Sequence, residues 1–273
     1  MNAHKAAARE AILRAGGLVR KRFGTRLADG VVAKGRNDFV TEVDTQSEAM
    51  IKETLAAAHP GIGFLAEESA ESQTVDTFWV IDPLDGTTNF IHGYPSIAVS
   101  IALMERGEVM LGCVYDPLRD ELYEAERGGG ASLNGKPIAV SGAPSLADSL
   151  LGTGFPFSVN QHIDAYLAAF KELFLQCRDL RRAGAAALDL CHVAVGRLDG
   201  FWELYLKPWD MAAGALIVRE AGGKVSDFFG TPEFLEAGHI VAGTPGVFEE
   251  IVRVTSRHFD AAAIAGLGFR MRR

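Results

Sequence analysis

Two aspartates, Asp82 and Asp85, stand in the stretch Trp79-Val80-Ile81-Asp82-Pro83-Leu84-Asp85-Gly86-Thr87-Thr88-Asn89-Phe90. Carboxylates converging at a tight turn repel each other unless a cation lies between them. Hard oxygen donors, with neither Cys nor His in the stretch, suit magnesium, which binds through a few carboxylates, water and substrate phosphate. Just beyond, Gly86 lets the backbone approach a ligand closely. Thr87 and Thr88 suit a helix start, whose free N–H groups attract an anion. A cation cradle thus adjoins a phosphate cradle. The plainer alternative is an Asp-Pro turn with a helix cap. The apolar run in front and the Gly-Thr-Thr behind favour the chemistry.

These residues need elements to hold them. The apolar run 79–81 predicts a strand covered on both faces, ending near Asp82 because Pro83 cannot continue the ladder. A short helix should follow. Upstream, Ile12, Gly16, Val19 and Phe23 recur at helical spacing. They predict a helix packed on the body rather than a transit peptide, although residues 1–26 are rich in Ala and Arg with Glu10 the one acid. Asp29-Gly30 reads as a turn, and 31–33 and 39–43 as short strands around a polar loop at 34–38. Residues 45–58 read as a helix with apolar positions Ala49, Met50 and Leu55, closed by His59-Pro60-Gly61. A short strand at 63–66 leads into Glu67 and Glu68.

From Pro95 to Pro137 alternation predicts an antiparallel meander, with a hairpin turn at Arg106-Gly107-Glu108. The polar stretch 141–149 marks a boundary inside one catalytic domain, 1–273, between subregions 1–140 and 141–273. The second subregion reads as strands alternating with helices. Helices are expected at 161–176, from 180 to 190, at 211–221 and at 245–255. Strands are expected at 198–203, 224–226 and 239–242. Residues 228–238 are uninformative, and the basic tail 269–273 reads as a frayed end. Gly152-x-Gly154 is no dinucleotide site, because Phe157 stands where the third glycine belongs. The triple glycine 128–130 is no phosphate loop, because no Lys-Ser/Thr follows.

The chain has 273 residues, 48% of them hydrophobic, enough for one large domain or two small ones. A net charge of −8 argues against general nucleic-acid binding, whose affinity comes from neutralising phosphates. Cys113, Cys177 and Cys191 lack metal-ligand spacing and fit buried thiols in a reducing cytoplasm. No apolar run approaches the roughly 20 residues that span a bilayer, so no membrane is expected as a partner. No Gly-x-Ser-x-Gly supports a serine hydrolase.

The stretch W-V-I-D-P-L-D-G-T-T-N-F resembles the signature of the inositol monophosphatase family of magnesium-dependent, lithium-sensitive phosphatases. Lys207-Pro208-Trp209-Asp210-Met211-Ala212-Ala213-Gly214 resembles its second signature. The similarity covers nearly the whole chain and is closest to bacterial inositol-1-monophosphatases. It implies an α/β (α+β) fold, a layered α-β-α-β-α sandwich, working as a homodimer with two to three Mg2+ ions per subunit. The implied reaction is hydrolysis of a small phosphate monoester, foremost myo-inositol 1-phosphate. Histidinol phosphate, fructose 1,6-bisphosphate and 3′-phosphoadenosine phosphate are alternatives. Relatives are linked to RNA polymerase and transcription antitermination, so a role mainly as an interaction protein is the rival.

The resemblance also implies roles. Lys34, Asp38, Val40, Thr41 and Asp44 match the family pattern, and Asp44 pairs with Thr87 to activate the attacking water. Asp44 could equally cap the following helix. Glu67, Asp82 and the Leu84 carbonyl would hold a first magnesium, and Asp82, Asp85 and Asp210 a second. A third, weaker ion would attach through Glu67. Glu68 should face the other way, and a solvated acidic loop is the plain alternative for both glutamates. The amides of Gly86 and Thr87 would bind phosphate, with Glu67, Leu84, Asp85 and Asp210 bordering the substrate. Gly184, Ala185, Ala186 and Glu203 would meet its ring. Ala185 stands where some members carry Thr or Ser, removing one hydroxyl. Arg181 matches a basic position and could equally form an ion pair. Asp210 falls in a helix's first turn, where the dipole alone favours a carboxylate.

Overall fold

A computed structural model describes residues 1–25, 31–35, 38–69, 76–155 and 160–265. The expected turn at Asp29-Gly30, part of the polar loop at 36–37, Phe157 and the basic tail lie outside the described residues.

Ala and long unbranched residues favour helix, and α1 (Asn2–Arg22) buries Ile12, Gly16 and Val19 on one stripe. Strands β1 (Val31–Gly35) and β2 (Asp38–Thr41) pair antiparallel. Helix α2 (Glu42–Ala58) begins ahead of the expected residue 45, and Val43, expected in a strand, lies in its first turn. The cause is a reciprocal cap: Thr41 Oγ1 accepts from the Val43 N–H at 3.1 Å, and Asp44 Oδ2 accepts from the Thr41 N–H at 2.8 Å. The buried face of α2 also departs from expectation. It consists of Val43, Asp44, Ser47, Glu48, Ile51, Thr54 and Leu55, whereas Ala49 is exposed and Met50 half-buried.

The chain continues through β3 (Gly63–Ala66), β4 (Thr77–Asp85) and the short helix α3 (Thr87–His92). The meander is β5 (Ala98–Glu105), β6 (Glu108–Asp116), β7 (Glu121–Glu126), β8 (Gly130–Leu133) and β9 (Lys136–Pro137). Among the described residues these form a seven-stranded sheet, β3-β4-β5-β6-β7-β8-β9, with β3–β4 its parallel pair. Arg106 and Gly107 turn the β5–β6 hairpin with φ of 51° and 81°, as the sequence predicts.

Next come β10 (Leu150–Thr153), α4 (Ile163–Phe174), β11 (Asp179–Arg181), α5 (Ala186–Ala194), β12 (Gly200–Leu204) and α6 (Pro208–Glu220). Then follow β13 (Lys224–Ser226), α7 (Phe234–Ala237), β14 (His239–Gly243), α8 (Pro245–His258) and α9 (Ala261–Ile264). The strands form a second sheet in the order β11-β10-β12-β14-β13. Residues 180 and 181, expected in helix, belong with Asp179 to an edge strand of that sheet, and the helix after them waits until Ala186.

Among the described residues, three buried clusters fill the junctions of the five layers. Ile12, Ile51, Trp79, Ile81 and Val99 join α1 and α2 to one face of the seven-stranded sheet. Val80, Val114, Leu190, Ile217 and Phe201 fill the space between the sheets, where α5 and α6 lie. Tyr166, Trp202, Val241 and Ile251 join the second sheet to α4 and α8. Each fully buried aliphatic or aromatic side chain contributes roughly 1.5–3 kcal/mol. Small residues bring α6 close to both neighbours: a Cβ on Gly112 would come 2.7 Å from the Ala213 carbonyl oxygen, and one on Gly214 2.7 Å from Leu190 Cβ. The small residues of the second signature therefore serve packing. The fold is the α-β-α-β-α sandwich expected. Among the described residues, no helix is long and apolar enough to cross a membrane.

Candidate active site

β4 pairs with β5 from Thr77↔Glu105 to Asp82↔Ser100, and pairing resumes at Asp85↔Ala98. A step of three residues on β4 thus answers a step of two on β5. Side chains alternate along a strand, so residues three apart ordinarily face opposite ways. The bulge absorbs the odd residue and turns Asp82 and Asp85 to the same face, toward α5 and α6. Pro83 does not end the strand, contrary to expectation. It sits within the bulge, where its missing N–H removes no ladder bond. The Leu84 N–H donates to Asp82 Oδ1 at 3.0 Å.

Gly86 carries the chain out of β4 with φ of 89°, and a Cβ there would come 2.8 Å from the Ser96 carbonyl oxygen. Only glycine suits both demands. Helix α3 follows with Thr87 in its first turn. The Thr87 hydroxyl lies 2.9 Å from Asp44 Oδ1 and 3.1 Å from the Leu84 carbonyl oxygen. Asp44 therefore caps α2 through Oδ2 and Thr41, while its Oδ1 accepts from the Thr87 hydroxyl. Burial pushes the Asp44 pKa up, against hydrogen bonds from Thr41 and Thr87 that pull it down.

Glu67 follows β3, and its N–H donates to the Ile81 carbonyl oxygen at 3.2 Å, which seats it beside Asp82. Glu68 is tied elsewhere, its N–H donating to Glu48 Oε2 at 2.8 Å. Asp210 lies in the first turn of α6, with Oδ2 accepting from the Lys207 N–H at 2.6 Å. Burial, then the charges of Glu67, Asp85 and Asp210, drive the Asp82 pKa well above the ordinary carboxylate range. Asp85 is pushed up to about 7, by burial first and then by Asp210. Amides at the start of α5 oppose that shift, and Asp85 Oδ2 accepts from the Ala187 N–H at 2.8 Å.

Four carboxylates from three parts of the chain therefore share one electrostatic field. Among the described residues, no three His, Cys, Asp or Glu side chains are already drawn together as a metal cage. Asp82, Asp85 and Asp210 each engage a backbone amide instead. The donor set is nonetheless all oxygen, partly buried and mutually repulsive, which fits a hard divalent cation.

The opposite wall comes from the second sheet and α5. Asn89 Nδ2 donates to the carbonyl oxygens of Ala183 and Gly184 at 2.9 and 3.2 Å, tying α3 to the segment that opens α5. Gly184, Ala185 and Ala186 thus lie beside Asp85 and Gly86. Glu203 sits on β12, and a Cβ on Gly154 would overlap its carboxylate, so Gly154 makes room for that group. Burial raises the Glu203 pKa well above normal; Arg182 opposes this, and Asp189, Asp210 and Asp85 add to it.

Arg181 is not brought to this wall. It is exposed and pairs with Asp179 at 2.6 Å on the edge strand β11. The neighbouring Arg182 instead lies against Gly184 and acts on Glu203 and Asp189. Asp189, absent from the predicted site, is buried on α5 with its pKa driven well up by burial and by Asp85. Its signal in the sequence was an acid inside the otherwise apolar run A-A-A-L-D-L.

Residues 2–259 match the model of the inositol monophosphatase family. The chain is 52% identical over 231 residues to the Nus factor SuhB of Pseudomonas aeruginosa, covering 82% of this chain and 85% of that one. The crystal structure of the extragenic suppressor protein suhB from Bartonella henselae matches with a TM-score of 0.90 and 39% identity, over 93% of this chain and 99% of that one. Thermotoga maritima IMPase matches with a TM-score of 0.84 and 34% identity, over 94% and 97%.

Proposed function

The chain belongs to the inositol monophosphatase family, and from that premise we propose that it hydrolyses a small phosphate monoester with magnesium, foremost myo-inositol 1-phosphate. The observation that carries the reading is the bulge that turns Asp82 and Asp85 to one face, within the field of Glu67 and Asp210. Held by these four acids and the Leu84 carbonyl, two to three Mg2+ ions would neutralise the acids, polarise the phosphoryl group and acidify water.

The chain's own groups do the rest. Asp44 is fixed through Oδ2 by Thr41, leaving Oδ1 to accept a proton passed from the attacking water through the Thr87 hydroxyl. The amides of Gly86 and Thr87, at the head of α3, have no partner inside the helix and suit phosphate oxygens. Glu203 accepts hydrogen bonds from the alcohol's hydroxyls beside Gly184, Ala185 and Ala186. Arg182, rather than Arg181, supplies the cation on that side.

The test is phosphate release with and without Mg2+ from myo-inositol 1-phosphate, histidinol phosphate, fructose 1,6-bisphosphate and 3′-phosphoadenosine phosphate. Release from the first well above the others is expected. No Mg2+-dependent release from any would end the reading. In ¹⁸O water, one label should enter phosphate without a phosphorylated residue.

The name Nus factor on the Pseudomonas relative supports a second reading, association with transcription antitermination machinery. A pull-down with wild type and Asp85→Asn separates the two roles: binding retained by the inactive variant makes them independent. A homodimer and a cytoplasmic location complete the proposal. Leu167, Phe174 and Leu175 are 46%, 51% and 71% exposed along and just after α4, an apolar strip that supports a second copy. Light scattering at the mass of a single chain would remove the dimer.

A further inference from the structure

The face of α2 turned into the protein carries polar side chains over its first two turns, where a helix packed on a sheet is ordinarily apolar. Asp44, Ser47 and Glu48 follow one another at helical spacing and are 0%, 0% and 4% exposed. Each reaches a different piece of the candidate site. Asp44 Oδ1 meets Thr87 at the head of α3. The Ser47 hydroxyl donates to the Pro83 carbonyl oxygen at 2.8 Å, inside the bulge between Asp82 and Asp85. Glu48 takes hold of the segment after β3: Oε2 accepts from the Glu68 N–H at 2.8 Å, and Oε1 accepts from the Ser69 hydroxyl. One turn further on, Lys52 Nζ lies 3.1 Å from Ser69 Oγ and rests over the Phe64 ring of β3.

Burying a carboxylate is a poor way to stabilise a fold. Apolar side chains at 47 and 48 would pack α2 at least as well, as Ile51 and Leu55 do on the same helix. What these polar contacts supply is place. Their acceptors and donors belong to residues adjoining the acids: Pro83 beside Asp82, and Glu68 beside Glu67.

We propose that Ser47 and Glu48 are positioning residues, through which α2 acts as a jig that fixes the β4 bulge and the segment after β3 at one separation, so that Asp82 can share one cation with Glu67 and another with Asp85. The proposal rests on the phosphatase reading given above. It assigns neither residue a contact with metal or substrate.

The test is divalent-cation binding by calorimetry, with Mg2+ and Mn2+, on the full chain without substrate. Glu48→Ala removes both hydrogen bonds and should weaken binding about 10- to 100-fold. Glu48→Gln loses the same charge but keeps both bonds: its amide oxygen accepts from Glu68, and its amide N–H donates to Ser69. It should bind within about threefold of wild type, the small change expected when both hydrogen bonds persist. Ser47→Ala should weaken binding by roughly three- to tenfold, the worth of one hydrogen bond. Thermal unfolding in chelator identifies any variant that does not fold; if Glu48→Ala fails, the Ser47→Ala result decides. Glu48→Gln binding as weakly as Glu48→Ala would make charge the cause and overturn positioning. So would either alanine variant, if folded, binding like wild type. If wild type itself binds no divalent cation, the phosphatase reading fails first. If wild type binds and the variants match it, this inference fails alone.

Discussion

At the acid corner, consecutive residues from Asp82 to Thr87 supply two carboxylates, a carbonyl, a glycine turn and a hydroxyl. On the wall that would meet the alcohol, Arg182, Asp189 and Glu203 come from separate segments and meet only through the packing of α5 against β12 and β10. The corner is held by short bonds to backbone: Ala187 to Asp85, Lys207 to Asp210, Leu84 to Asp82. The wall is held by volume, as Gly154 shows in giving way to Glu203. Geometry built by local bonds tolerates little change, whereas a surface shaped by volume can be recut by one side chain. On the function proposed above, the chemistry would therefore belong to the corner and the choice of alcohol to the wall.

That contrast can be broken or sharpened by substitution. The largest effect is expected from Asp85→Asn, which should lower Mg2+-dependent turnover on the order of 10³-fold while circular dichroism stays unchanged. Unaltered turnover would remove Asp85 from the corner. On the wall, Arg182→Ala should raise KM about tenfold or more, the worth of one charge-assisted hydrogen bond. Arg181→Ala, which breaks an exposed pair with Asp179, should stay within about twofold. Steady-state kinetics showing the reverse order would put the wrong arginine at the wall.

Next comes stability without metal. The Asp85 pKa rises from 3.8 to about 7 on folding, so the fold favours its protonated form. That contribution is complete below the unfolded pKa and is lost as pH climbs through about 7. In chelator, Asp85→Asn should therefore melt higher than wild type at pH 8, by roughly 5 °C, and show little difference near pH 4. Saturating Mg2+ should shrink or reverse the gap at pH 8. A gap independent of pH would show that Asp85 is not the group titrating. The smallest effect is expected at Asp189→Asn: a few-fold change in relative kcat/KM between two alcohols, with phosphate affinity unchanged in product inhibition.

The same contrast explains what was legible beforehand. Apolar periodicity announced the meander and the helices over the seven-stranded sheet, and the dense stretch 79–90 announced the corner. Pro83 misled, because a proline that ends a lone strand can also sit in a bulge, and only pairing with β5 tells these apart. Of the apolar positions read on α2, Leu55 turns in, yet Ala49 and Met50 turn away while Asp44, Ser47 and Glu48 take the buried face beside it. Arg181 and Arg182 are adjacent and chemically alike, and their fates separate only where the short edge strand β11 stops. Asp189 needed the burial of α5, a tertiary fact, to become visible.

The odd residue between Asp82 and Asp85 makes pairing register, not composition, the fragile quantity there. Drawing all four residues into a regular ladder, with the bulge lost, would swing the second carboxylate toward Trp79 and Ile81, beneath α1 and α2, with every acid still present. Exchanging Leu84 for another aliphatic residue should by contrast pass almost unnoticed. The segment is also self-contained: grafted onto another antiparallel ribbon with the spacer intact, it should bring its converging aspartates along.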